Sequence, residues 1–126
     1  MSRPRDRGSN GTHGSHWIRP RKRLAIYLRD GFRCAYCGWD MHGSAPSEIT
    51  LDHLRARLAR PDHSARNLVA ACRSCNSARG ARPWRAFART RQTWAWWPVE
   101  RIVKLRRRSM SRFLALADEL RKGDGA

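Results

Sequence analysis

The chain has 126 residues, a formal net charge of +17 at pH 7 and a pI of about 11.6. That length is one domain with tails, and a core so small gains from a staple such as a metal ion. The charge exceeds what solubility requires and calls for a polyanionic partner, nucleic acid ahead of an anionic membrane. Of the 27 basic residues, 24 are Arg. Such a bias also arises from a GC-rich genome, but the guanidinium fork suits phosphate whatever its origin.

No run approaches the roughly 18 apolar residues of a membrane span, and no apolar stretch follows the basic N-terminus as in a secretory leader. The expected location is the cytoplasm, with no membrane partner. In a reducing compartment, four cysteines in two C-x-x-C pairs read as zinc ligands rather than cystines.

Residues 1–19 are rich in Gly, Ser and Arg and are expected to form a disordered basic arm, with His13 and His16 as solvated residues. Pro20 to Asp30 predicts a helix: Pro20 suits the first turn, Leu24, Tyr27 and Leu28 share a face, and Gly31 fits the residue after the cap. Arg21, Lys22, Arg23 and Arg29 fall on the other face. Cys34-Ala-Tyr-Cys37-Gly38 is a knuckle, in which two sulfurs three residues apart turn toward one ion. His42 reads as a loop residue. Ile49 to His53 predicts a strand, Leu54 to Arg66 a basic loop broken at Pro61, and Leu68 to Ala71 a second strand. Cys72-x-x-Cys75 opens a short helix that ends at Gly80. A further helix from Pro83 to about Thr93 turns Trp84, Phe87 and Ala88 inward, and residues 20–93 together form the expected main domain. Residues 94–126 add Trp94, Trp96 and Trp97, expected to pack rather than stack on bases. A last helix follows over Val99 to Lys122, with Val99, Ile102, Val103, Met110, Phe113, Leu114, Ala117 and Leu120 on one face. Its other face carries Arg101, Lys104, Arg107, Arg108 and Arg112, either a rail for phosphates or a solvated surface.

Four thiolates from Cys34, Cys37, Cys72 and Cys75 fill a tetrahedral zinc with no position left open, so that site is structural. The stretch between the pairs is longer than a simple zinc ribbon needs, and inside it lie Asp52 and His53. Cutting a phosphodiester takes a base for water, a Lewis acid for the growing negative charge, and cations for the backbone. His53 has a side chain suited to a base near neutral pH. Asp52 offers a hard oxygen to Mg²⁺, Mn²⁺ or another divalent ion, and Asn76 a neutral second oxygen. Neighbours on a regular strand point to opposite faces, so Asp52 and His53 share a site only where the strand ends or distorts.

With Cys72-Arg-Ser-Cys-Asn76, Asn67-Leu68, Arg79-Gly80 and Arg-Pro-Trp around this pair, the chain resembles the HNH endonuclease family from about Arg23 to Trp84. That resemblance implies an α+β, ββα-metal core, treble-clef-like, with a zinc held by four cysteines, flanked by an N-terminal helix and C-terminal helices. It implies His53 as general base, Asp52 and Asn76 as holders of the catalytic ion, and Asn67 as the residue that braces the loop orienting the base. It also implies Arg79 at a phosphate and DNA as substrate, cut to leave a 5′-phosphate and a 3′-hydroxyl. Other nucleic-acid contacts are expected from Arg55, Arg57, Arg73 and Arg82. Small proteins of this kind occur in phage packaging, restriction and mobile elements, so a packaging or restriction partner is expected. The chain departs from the family pattern in two places: Asn76 stands for the final His, and Leu58-Ala-Arg-Pro61-Asp62-His63 replaces a Gly-rich turn before the middle Asn. His63 stays open between an extra ligand or phosphate contact and a solvated residue. Two competing functions remain, a zinc module that binds nucleic acid by charge alone and a basic RNA-associated structural protein.

Overall fold

The computed structural model describes residues 18–55, 62–91 and 100–125. Residues 1–17 of the expected arm, with His13 and His16, the loop residues Arg57 and Leu58 to Pro61, and the Trp94, Trp96 and Trp97 link lie outside the described residues. Ile18, expected in that arm, is instead buried in the main core at 1% exposure, because its apolar side chain packs with the first helix and the knuckle cluster.

Helix α1, Pro20–Arg29, begins with Pro at its first turn and ends at Asp30, whose backbone N–H returns to Ile26 O. Gly31 and Phe32 both take positive φ, +70° and +55°, and turn the chain into the first knuckle. Phe32 N donates to Tyr27 O at 2.9 Å, which fastens that turn to the helix. The strands β1, Ile49–His53, and β2, Leu68–Cys72, pair antiparallel, with Ile49 opposite Cys72 and His53 opposite Leu68. Every residue of β2 is buried, because α1 and the knuckle cover it. Ala35 N donates to Ala70 O at 2.9 Å and joins the knuckle to that strand.

Helix α2, Arg73–Arg79, follows β2 directly and ends at Gly80, φ +53°. Helix α3, Trp84–Arg91, buries Phe87 and Ala88, with Trp84 half-buried. The Phe87 ring meets Tyr36 edge-on at 5.1 Å, which seats α3 on the knuckle.

The expected single C-terminal helix is two helices, α4, Glu100–Arg106, and α5, Ser111–Gly125. Three successive arginines, 106 to 108, repel one another at the break, and Ser109 Oγ accepts from Ser111 N at 3.4 Å. The break lets α4 lie on β2 while α5 turns back along α1. On α5, Phe113 and Ala117 pack with Ala25, Leu24 and Leu28. Arg21 clasps Asp118 through both oxygens, at 2.7 and 3.1 Å. Ile102 and Leu105 are buried, Leu105 having been missed by the expected face, while Leu120 is exposed.

Arg29 is a second correction. It was expected on the basic face of α1 but is buried. Its Nε and Nη2 bind the two oxygens of Asp30 at 2.7 and 3.2 Å, and it also donates to Ala65 O and Leu68 O. Asp30 Oδ2 accepts from Ala70 N at 2.8 Å. A buried charge survives only when paired and hydrogen-bonded; this pair meets that demand by stitching α1 to β2.

Candidate active site and metal centre

The sulfurs of Cys34, Cys37, Cys72 and Cys75 lie within 4.8 Å of one another. A tetrahedral zinc with bonds near 2.3 Å requires sulfur separations of about 3.8 Å, so this cluster is compatible with one zinc after small adjustments. Two backbone devices build it. Gly38, φ +78°, closes the first knuckle with Gly38 N on Cys34 O at 2.9 Å. Cys72 caps α2, its sulfur accepting from Cys75 N at 3.4 Å. Hydrogen bonds from Cys34, Cys37 and Cys75 hold the Cys72 thiol far below its usual range, and those with Cys34, Cys37 and Cys72 push Cys75 up. A divalent cation bound among these crowded sulfurs would take all four as thiolates.

Tyr36, between the two cysteines of the first knuckle, reaches out of the cysteine cluster. Its hydroxyl donates to Asp52 Oδ2. Burial, followed by the charge of Asp52, pushes the phenol upward and keeps its proton in place. Arg79 Nη1 donates to the same oxygen at 2.7 Å. Asp52 is largely buried, and its Oδ1 has no hydrogen bond to any described residue. Asn76 stands one turn before Arg79 on α2, so the two share a helix face. Asn76 Nδ2 donates to Thr50 Oγ1 at 2.9 Å and to Leu51 O at 3.2 Å, which leaves its Oδ1 unspent among the described residues. Thr50 and Asp52 are two apart on β1 and therefore share a strand face. Helix α2 thus lays Asn76 over Thr50 and Arg79 over Asp52, and places the amide and the carboxylate on one side of the strand.

His53 is the last residue of β1. Its Nε2 stands 2.9 Å from Nδ1 of His63. Asp52 and His53 therefore answer to different partners, as strand alternation requires. Asn67, 2% exposed, ties the two ends of the intervening loop. Its Oδ1 accepts from Arg55 N at 2.9 Å, its Nδ2 donates to Asp62 O at 2.9 Å, and its backbone carbonyl accepts from Leu54 N at 2.8 Å. The short 3₁₀ turn Ala65–Asn67 delivers it to that position.

Of the arginines expected at nucleic acid, Arg55, Arg73 and Arg82 are exposed. Arg73 reaches Glu48 at 3.8 Å, and Arg82 lies over the Phe87 ring. Arg79 differs: it is 5% exposed, and its guanidinium donates to Asp52, His53 O, Leu54 O and Arg82 O. Its donors serve the protein, because α2 points it inward at the strand end. Tyr36 was missed as a partner of Asp52. The only signal in the sequence was its place inside the first C-x-x-C, which bears on zinc and not on the carboxylate. His42 binds Asp40 in the loop, as a loop residue does.

Among the described residues no helix is long and apolar enough to cross a membrane. No curated protein and no solved structure matches the chain. The two-stranded sheet, the helix after it and the cysteine cluster give the α+β, ββα-metal architecture. Residues 34–82 match the family model described as HNH endonuclease, and this segment, which holds both knuckles, both strands and α2, is an HNH domain.

Proposed function

We propose that the chain is a metal-dependent DNA endonuclease in which His53 is the general base, Asp52 and Asn76 hold one divalent ion, and Cys34, Cys37, Cys72 and Cys75 hold a structural zinc. The observation that carries this is a buried carboxylate with one oxygen unspent, on the strand face that also carries an amide with its oxygen unspent. Buried polar atoms normally find partners, and two hard oxygens left over among the described residues, on one side of the strand, suit Mg²⁺ or Mn²⁺. When bound, that ion supplies Lewis-acid stabilisation of the charge that grows on the phosphoryl group and the leaving oxygen.

The protein's own groups do the rest. Tyr36 and Arg79 fix Asp52 Oδ2 and so aim Oδ1. Asn67 holds both ends of the loop that follows His53 and fixes where the imidazole stands. As His53 takes the proton of the attacking water, it becomes an imidazolium. The proton goes to Nδ1, while Nε2–H donates to His63 Nδ1, and that contact steadies the new charge. Exposed Arg55, Arg73 and Arg82 supply cations for the phosphate backbone, with Arg57 as a further candidate. Arg79, expected at a phosphate, is reassigned to organising the strand end.

A zinc-stabilised module that binds nucleic acid without cutting it is the second reading. It is favoured by one observation, that Arg79 already neutralises Asp52. Plasmid nicking with Mg²⁺ or Mn²⁺ separates the two. Cleavage by the wild type that falls by a factor of about 10² to 10⁴ in His53→Ala, with DNA binding kept, supports the enzyme. Equal cleavage by both proteins removes His53 from the mechanism, and no cleavage by either leaves the binding module.

A further inference from the structure

Arg106 is docked on the turn beside Asn67 and has four other arginines, from four separate stretches of chain counting its own, within electrostatic reach. Arg55 follows the end of β1, Arg66 precedes Asn67, Arg85 is in the first turn of α3, Arg106 ends α4 and Arg107 follows it. Arg106, half-buried, donates from Nε to Arg66 O at 2.6 Å, which docks the end of α4 on the turn that carries Asn67. Arg85 lies over the Trp84 ring at 4.6 Å, a contact that leaves its N–H edges to solvent. Arg55, Arg66, Arg85 and Arg107 are exposed. Among the described residues none of the five has a carboxylate within ion-pair distance, though Asp62 lies within electrostatic reach of Arg55. Burial first, then the charges of Arg107, Arg55, Arg85 and Arg66, lower the basicity of Arg106. Arg106 therefore feels the charge of the other four.

Like charges inside a Debye length repel and oppose the compact state. Here burial of Ile102 and Leu105 on the core offsets that repulsion. An anion laid across the cluster relieves it, and spaced exposed guanidiniums match the spaced charges of a nucleic-acid backbone. Arg85, Arg106 and Arg107 lie outside the segment that matches the family, so the C-terminal helices add this surface to the domain.

We propose that Arg55, Arg66, Arg85, Arg106 and Arg107 form a cradle for the phosphate backbone of duplex DNA, placed by α4 next to His53 and Asn67. This rests on the reading of the chain as a nuclease that acts on DNA. The cradle grips the strand to one side of the scissile phosphate and sets its register, because phosphate contacts position a duplex without reading its bases.

The test is duplex binding by the full chain carrying His53→Ala, measured across a range of salt. The triple variant Arg66→Gln, Arg85→Gln, Arg107→Gln is compared with Arg19→Gln, Arg89→Gln, Arg121→Gln, which removes equal charge from exposed positions outside the cluster. Arg106 is kept because its hydrogen bond supports the fold. The cluster variant should flatten the slope of log K against log salt by about 3, and the control by less than about 1. Equal slopes in the two triples overturn the cradle and leave a general charge effect. Should the cluster triple melt early, Arg85→Gln and Arg107→Gln are measured singly; each should flatten the slope by about 1, and an unchanged slope overturns the proposal. A chain that binds through the cluster but never nicks fails only the nuclease reading. A chain that nicks, with triples that bind alike, fails only the cradle.

Discussion

Among the described residues stand two buried aspartate–arginine pairs, and they are finished differently. Asp30 spends both oxygens, on Arg29 Nε, on Arg29 Nη2 and on Ala70 N, and both side chains are wholly buried. Among the described residues Asp52 spends only Oδ2, on Tyr36 and Arg79, at a side-chain exposure of 11%. Each arginine also gathers backbone carbonyls, Ala65 and Leu68 for Arg29, His53, Leu54 and Arg82 for Arg79. The first pair is therefore a closed stitch between α1 and β2. The second is a stitch with one oxygen held open beside a candidate amide ligand. A saturated buried carboxylate is architecture; a half-saturated one at a strand end is where chemistry finds a place.

The contrast can be broken in three ways. Removing zinc with a strong chelator should have the largest effect. The binding energy of a structural zinc, about 10–16 kcal/mol, is folding energy, and it matches or exceeds the whole stability of a small domain, about 5–15 kcal/mol. Cooperative melting followed by circular dichroism should disappear, and with it the placement of Tyr36 on Asp52. Unchanged melting would separate the cysteine cluster from the fold.

Next come the two carboxylates. Asp30→Asn leaves Arg29 buried without a counter-charge and should cost about 3–5 kcal/mol of stability. Asp52→Asn likewise removes the counter-charge of buried Arg79, but at a site 11% open to solvent, and should cost less, about 2–3 kcal/mol. Cleavage by Asp52→Asn should nonetheless fall by roughly 10² or more, because the hard anionic oxygen is gone. Denaturant melts and nicking rates on the same proteins check both halves. An Asp52 variant that is badly destabilised but cuts normally would reverse the roles assigned here.

The smallest effect is expected from Tyr36→Phe. The ring stays on Phe87 and only the hydroxyl is lost. Stability should fall by about 1 kcal/mol and zinc content should stay whole. The Mn²⁺ concentration needed for half-maximal cleavage should rise several-fold, since Asp52 is then aimed by Arg79 alone. A midpoint that does not move would confine Tyr36 to packing.

Much of this molecule is legible from residue order. The α1 helix starts at its proline, β1 spans Ile49 to His53 as its β-branched run implies, and α2 ends at Gly80. The cysteine spacing foretold a four-sulfur cluster, and the cluster is there. These features depend on neighbours within a few residues, on turn sterics, and on two sulfurs three apart.

Other features were out of reach. Arg29 and Arg79 look like surface cations in a chain with 27 basic residues, yet both are interior hubs. His63 faces His53 across ten residues, and Tyr36 faces Asp52 across sixteen. The break between α4 and α5 falls inside a stretch whose apolar period continues past it. Residue order by itself determined most of the elements, the paired cysteines and the charge, because each is set locally. Only tertiary structure decided which arginines are buried, which oxygens remain unspent and where the exposed cations gather. Those outcomes depend on which carbonyls and carboxylates converge when distant elements pack, and no short window of sequence contains that information.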